Sequence, residues 1–264
     1  MPASPIQSEF QPADGPWESY ASHEGLRSVL DPADTSGRKN AAIDLLQRTA
    51  IDRALGAGRF GSVLDFGCGT GRMVRHLAGR AQHVIGVDIT GAMLHRAARE
   101  TQAANAGWSR IDGARLPLRD ASVDRIVSVY VLQYAIREPA TYAAMLRELA
   151  RVLVPGGRLL CIEQVAGGAT GSGSVGDGAT CADYLEPARE IFARARARPV
   201  RLARPGRFER NTLHRHALPG PLRQLAARIS LWQVGGLDES ALASQPYSDW
   251  LLRFDAIDAA GTSA

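Results

Sequence analysis

The chain has 264 residues, 45% of them hydrophobic, and a net charge of +4. That is enough apolar mass for one sizeable core, yet no run approaches the roughly 18 apolar residues of a membrane-spanning helix. Three cysteines without metal-ligand spacing argue against a disulfide scaffold or a metal site, and the N-terminus does not read as a basic region followed by an apolar one. The expected compartment is therefore reducing and cytoplasmic.

In chain order, residues 1–16 are rich in Pro, Ser and Gln and are expected to be loosely attached. With residues 17–40, which carry turn signals at Asp31-Pro32 and Ser36-Gly37, they form an N-terminal arm or lid over 1–40. Ala41–Leu55 has helical apolar spacing and should cap the edge of a sheet. A strand is expected at Ser62–Phe66, a helix at Thr70–Ala78, a strand at His83–Asp88, and a helix begun by Thr90. Short strands follow near Ser109–Ile111 and at Val123–Val129. Pro139 opens a helix that Pro155-Gly156-Gly157 ends, and Arg158–Glu163 is the next strand. This alternation predicts parallel strands with right-handed crossovers in a core over 41–165. Residues 166–179 are nearly all small and read as a linker. Beyond it, Cys181–Ala197 and Leu218–Trp232 read as helices, and Val200–Ala203 and Tyr247–Phe254 as strands. The whole of 166–264 is expected to belong to the same domain and to hold the acceptor-pocket elements.

The chemistry concentrates at Val63-Leu-Asp-Phe-Gly-Cys-Gly-Thr-Gly71 and at Asp88, which ends Val84-Ile-Gly-Val-Asp88. A strand, a glycine turn, a helix, a second strand and a terminal carboxylate form the first half of a nucleoside-binding sheet, the carboxylate placed to meet a ribose. A dinucleotide loop needs a third glycine where this chain has Arg72. Asp65 in front of the loop would repel a pyrophosphate and suits an ammonium group. Both departures point away from a nicotinamide or flavin and toward S-adenosylmethionine. Cys68 in the loop and Cys161 in a strand read as small apolar fillers rather than nucleophiles.

Four segments then carry a family resemblance: Val63–Gly71; Gly86–Thr90; Asp112-Gly-Ala-Arg-Leu-Pro117 with Ser122-Val-Asp124; and Arg147-Glu-Leu-Ala-Arg-Val-Leu-Val-Pro-Gly-Gly157. In this order they resemble the class I S-adenosylmethionine-dependent methyltransferases, specifically the type 11 group, over roughly residues 60–165. The resemblance implies a doubly wound, seven-stranded Rossmann-like α/β sheet with an antiparallel last strand, an N-terminal helical cap and an extended C-terminal half. It also implies cofactor roles. Gly67, Cys68, Gly69 and Gly71 would pack on the methionine part, with Asp65 near its ammonium. Asp88 would accept the ribose hydroxyls, and Ile89 would pack on adenine, with Met93 in the cofactor shell. Asp112 would hold the adenine amino group and Gly113 a ring nitrogen, while Ser128, Val129 and Gln133 would line the sulfonium end. The chain departs from the family in having Ile111-Asp112-Gly113 for the usual Gly-Asp-Ala, and Val123 for the usual Phe.

The implied reaction is in-line attack on a sulfonium methyl, which needs alignment and exclusion of water more than a base. Glu163, at the carboxyl end of its strand, and His23, in the arm, are the candidate catalytic residues. His214 and His216 are further candidates, Tyr20 and Tyr134 could close over the ligands, and Gly37-Arg38-Lys39-Asn40 reads as a lid turn. The favoured acceptor is a small molecule methylated on oxygen, a sugar or secondary-metabolite hydroxyl. Nitrogen or carbon methylation and cofactor binding without turnover are the alternatives. Between Arg189 and Arg228 eleven arginines face only Glu190 and Glu209. That window reads as a solvated face, as a site for an anionic or nucleotide-linked acceptor, or, with less support from its few aromatics, as a nucleic-acid or lipid contact.

Overall fold

The computed structural model describes residues 17–113, 115–167, 178–215 and 218–258. The expectations for 1–16, for most of the small-residue linker, and for His216 lie outside them. One seven-stranded sheet organises the rest. Its strands are β1 (Phe60–Phe66), β2 (Ala81–Asp88), β3 (Ala106–Arg110), β4 (Val123–Val129), β5 (Leu153–Ala166), β6 (Arg194–Leu202) and β7 (Tyr247–Asp255). Their order is β3-β2-β1-β4-β5-β7-β6. The first five run parallel, and β7 inserts antiparallel between β5 and β6, as the resemblance implied. The helices are α1 (Trp17–Tyr20), α2 (Arg38–Leu55), α3 (Arg72–Leu77), α4 (Gly91–Glu100), α5 (Leu132–Ala135), α6 (Pro139–Val152), α7 (Cys181–Arg189), α8 (Arg207–Glu209), α9 (Gly220–Gly235) and α10 (Glu239–Ala243).

Period-two side-chain alternation splits the core into two layers. Val63, Val84, Val127, Leu160 and Ile162 face a layer filled by α2, α3 and α9. Leu64, Val87, Ile126, Leu159 and Cys161 face a layer filled by α5, α6 and α7. Each fully buried Leu, Ile or Val contributes about 1.5–3 kcal/mol relative to exposure, so strands apolar on both faces belong at the centre. The first cap helix differs from its expected place. With Ala42, Ile43, Leu45, Leu46, Ala50, Ile51 and Leu55 all buried, α2 has too wide an apolar surface for a sheet edge and lies on a face.

Several boundaries also differ. Residues 194–197 are strand, not the end of a helix: α7 stops at Arg189, two residues after Pro187, and Arg194-Ala-Arg-Ala-Arg198 alternates exposed and half-buried as a strand does. β5 begins at Leu153, and Pro155-Gly156-Gly157 lies within it at a register shift against β4. Gly156 has φ +70°, and a Cβ on Gly157 would come 2.7 Å from the Val154 carbonyl, so this bulge requires glycine. β3 spans Ala106–Arg110 rather than 109–111. There Trp108 fills the space left by two glycines, coming 2.6 Å from where Cβ atoms of Gly71 and Gly86 would sit.

Candidate functional site

All parallel strands end at one edge, and the glycine loop turns there. Gly67, Gly69 and Gly71 have φ +72°, +51° and +76°, backbone that other residues rarely adopt. A Cβ on Gly67 would lie 2.2 Å from Val131 Cγ2, so the loop packs tightly against the turn after β4. The amides of Gly67 and Cys68 both donate to Val87 O at 2.9 Å. Asp88 closes the loop: Oδ2 accepts from Gly69 N at 2.8 Å and Oδ1 from Thr90 N at 2.9 Å. Burial nonetheless holds the Asp88 carboxyl above its ordinary range.

Asp65 carries an unsatisfied buried oxygen. It is buried, and its Oδ2 has no hydrogen-bond partner among the described residues. Burial pushes its pKa up to about 7; the Arg72 charge pulls down and the Asp88 charge pushes further up. A buried carboxylate oxygen without a donor is costly, and a cationic ligand would relieve it. Cys68 is inert as a nucleophile, because burial and then the charges of Asp65 and Asp88 raise its thiol well above the usual range.

The turn after β4 is held from two sides. Glu163, fully buried in β5, which runs on to Ala166 rather than ending there, accepts the amides of Val131, Leu132 and Gln133 at 3.2, 3.0 and 3.1 Å. Burial drives its pKa to about 8, against the pull of those amides. Its oxygens thus hold the start of α5 and leave no lone carboxylate toward a cleft. Gln133 Oε1 accepts from Gln164 N at 3.3 Å, and Ser128 Oγ donates to Phe66 O at 3.1 Å. Val129 is half-buried beside them. Tyr130 has φ +61°, strained for an aromatic residue. Its phenol donates to Asp249 Oδ2 at 2.5 Å, and Asp249 forms a forked pair with Arg201 at 2.7 and 3.1 Å.

The N-terminal arm crosses this edge. Arg96 of α4 donates to the carbonyls of Ala21 and His23, and Val29 reaches Gly69, 2.7 Å from where a Cβ would stand. Trp17 meets the Tyr134 ring edge-on at 5.3 Å, and Tyr20 meets Trp17 at 5.7 Å and His23 at 5.4 Å. His23 Nδ1 is buried with no partner among the described residues.

Residues 63–157 match the family model of a methyltransferase domain. The chain is 43% identical over 148 residues, 52% of its length, to the bifunctional biotin biosynthesis protein BioHC of Cellvibrio japonicus, and covers 28% of that protein. It is 35% identical over 136 residues, half its length, to the demethylmenaquinone methyltransferase of Tropheryma whipplei, covering 55% of it. The chain thus spans about half, or less, of the length of these relatives. In fold, 92% of it superposes on 48% of a Haemonchus contortus phosphoethanolamine N-methyltransferase at a TM-score of 0.61 and 14% identity. Residues 63–157 thus carry a methyltransferase domain of the S-adenosylmethionine-dependent class I kind.

The cofactor of this domain family is S-adenosylmethionine, and the residues present are compatible with it: Asp65 Oδ2 is buried without a donor, and Asp88 ends β2, where related sheets carry a ribose-binding carboxylate. Ile89 is half-buried and Met93 is buried. Asp112 is exposed and accepts from Arg115 N at 3.2 Å, and Gly113 beside it has φ +90°. Phe66, Ile111, Gly113, Leu116 and Met145 line a narrow crevice there.

Other candidates are engaged elsewhere. His214 Nε2 lies 3.1 Å from Glu209. The expected lid turn is the start of α2, where Lys39 pairs with Asp31 at 2.6 Å and Asn40 is buried. Two constellations escaped the sequence reading. Arg72, noted only as a missing glycine, is buried and donates to Asp44 at 2.9 Å and Gln47 at 2.7 Å, tying α3 to α2. The Tyr130–Asp249–Arg201 network was the other; a charge in the apolar end of β6 and another near the start of β7 were its available signal.

Proposed function

We propose that the chain transfers the methyl group of S-adenosylmethionine to a hydroxyl oxygen of a small organic acceptor, a sugar or secondary metabolite. The observation carrying the cofactor half is the unpartnered Asp65 oxygen, which would receive the ammonium group. Asp88 would accept the ribose hydroxyls while keeping Gly69 and Thr90. Ile89 and Met93 would back the adenosine, and Asp112 and Gly113 would take the adenine edge. When bound, the cofactor supplies the electrophilic methyl. Ser128, Val129 and Gln133 would border the sulfonium end, on a turn that Glu163 and Tyr130 keep in place. The arm would shut out water, and the free His23 Nδ1 would take the acceptor's proton. Glu163, spent on three amides, would act as a positioning residue.

A second reading, methylation at carbon, is supported by relatives such as the ubiquinone/menaquinone C-methyltransferase of Acidiphilium cryptum, 36% identical over 107 residues. Calorimetric titration with S-adenosylmethionine, S-adenosylhomocysteine and NADH tests the cofactor; binding of NADH alone would overturn it. Carbon-13 methyl-labelled cofactor with a panel of hydroxylated and quinol acceptors then separates the readings. A product methyl resonance in the methoxy range supports oxygen, and an aryl methyl resonance supports carbon.

A further inference from the structure

The outward face of α9 is apolar, although its inward face already fills the core. Ala226, Ala227, Ser230, Leu231 and Val234 are buried against the sheet. On the opposite side Leu222 and Leu225 are each 53% exposed, and Trp232 is 71% exposed, with Ile229 between them. The spacing 222, 225, 229, 232 is a continuous helical stripe. Of the four tryptophans Trp232 is the only exposed one.

Positive charge flanks the stripe. Arg228 adjoins Leu225 and Trp232 on the helix surface by its three- and four-residue spacing and is exposed. α9 packs on β6, one of the two edge strands of the sheet, whose Arg194, Arg196 and Arg198 alternate on one exposed face. The Arg198 guanidinium reaches the end of α9, 2.5 Å from where a Cβ on Gly235 would sit. Arg196, Arg198 and Arg228 make no ion pair among the described residues.

We propose that this face docks on an anionic lipid surface. The aromatic and leucine side chains would enter the boundary between headgroups and acyl chains, while the arginines meet acidic headgroups. Charge selects this occupant over a second copy of the chain, since a two-fold contact across the stripe would bring Arg228 against its like-charged counterpart. The proposal is independent of the acceptor.

The test is flotation of the purified full chain with vesicles of phosphatidylcholine alone or with phosphatidylglycerol, read alongside Trp fluorescence. Binding should be at least tenfold stronger to the acidic vesicles, fall steeply with added salt, and shift Trp232 emission to the blue. Trp232→Ser with Leu225→Ser should weaken it at least tenfold without lowering S-adenosylmethionine binding. Arg196→Glu with Arg198→Glu should remove the preference for acidic lipid. Equal binding to both vesicles, or binding unchanged by both double variants, would overturn the proposal. So would a dimer in light scattering that Trp232→Ser dissolves, which would give the face to a second copy.

Discussion

The Tyr130 phenol donates to Asp249 Oδ2 at 2.5 Å across 119 residues of sequence. This contact joins the turn at the sulfonium-end candidates to the antiparallel strand that completes the sheet. Asp249 also neutralises Arg201, and both charges are buried. Asp249→Ala would leave that guanidinium without a partner, at a cost of about 3–5 kcal/mol. Tyr130→Phe removes one hydrogen bond to a charged group, about 1.5–3 kcal/mol. Urea unfolding of both variants should show the larger loss for Asp249→Ala; equal losses would mean that the phenol, not the ion pair, dominates the network.

Asp88→Ala should raise the dissociation constant for S-adenosylmethionine about tenfold or more, the effect of losing charge-assisted hydrogen bonds of ~1.5–3 kcal/mol. The same change frees the amides of Gly69 and Thr90, so the glycine loop loosens as well. Titration calorimetry measures it, and unchanged affinity would refute the ribose role.

Cofactor affinity should rise with pH up to about 7 and then level off. Asp65 is held near pKa 7 by burial, with Arg72 and Asp88 as the charges acting on it. An ammonium beside it favours the carboxylate, so below pH 7 binding must release a proton. Calorimetry in buffers of different ionisation enthalpy counts that proton. Asp65→Asn should abolish both the release and the pH dependence.

Stability without cofactor should decline as pH rises from about 4.5 to 8. Glu163 moves from its ordinary value of 4.5 to about 8 on folding, so in that window the folded state binds more protons than the unfolded one, and raising pH favours unfolding. Asp65, raised to about 7, acts in the same direction. Glu163→Gln cannot ionise and should flatten the slope of unfolding free energy against pH. It should also lower turnover more than cofactor affinity, because it weakens the anchor of the Val131–Gln133 turn. A slope as steep as in the parent chain would show that Glu163 is already ionised in the folded state.

Much of the fold was legible because its signals are local. The double-sided apolar runs of β1, β4 and β5 announce strands buried on both faces. Pro139 marks the start of α6 to the residue. The glycine run and Asp88 are adjacent in space because a strand, a tight turn and a helix leave them no other arrangement. Where structure and local pattern part, two local signals compete: the period-two Arg-Ala alternation of 194–198 after Pro187 outweighs helical spacing, and the glycines inside β5 form a bulge rather than a stop.

The sequence by itself determined the sheet, its cofactor family and the glycine–carboxylate pair, because these depend on short-range periodicity and on residues with special backbone freedom. Only the tertiary structure decided what the charged candidates do. Glu163 became an anchor for three amides, Arg72 a bolt between α3 and α2, and Asp249 the partner of Tyr130 and Arg201. Those roles depend on which groups burial brings together over tens of residues, where a charge must find its partner or remain exposed; the Asp65 oxygen left without a donor is the observation on which the proposed ammonium site rests.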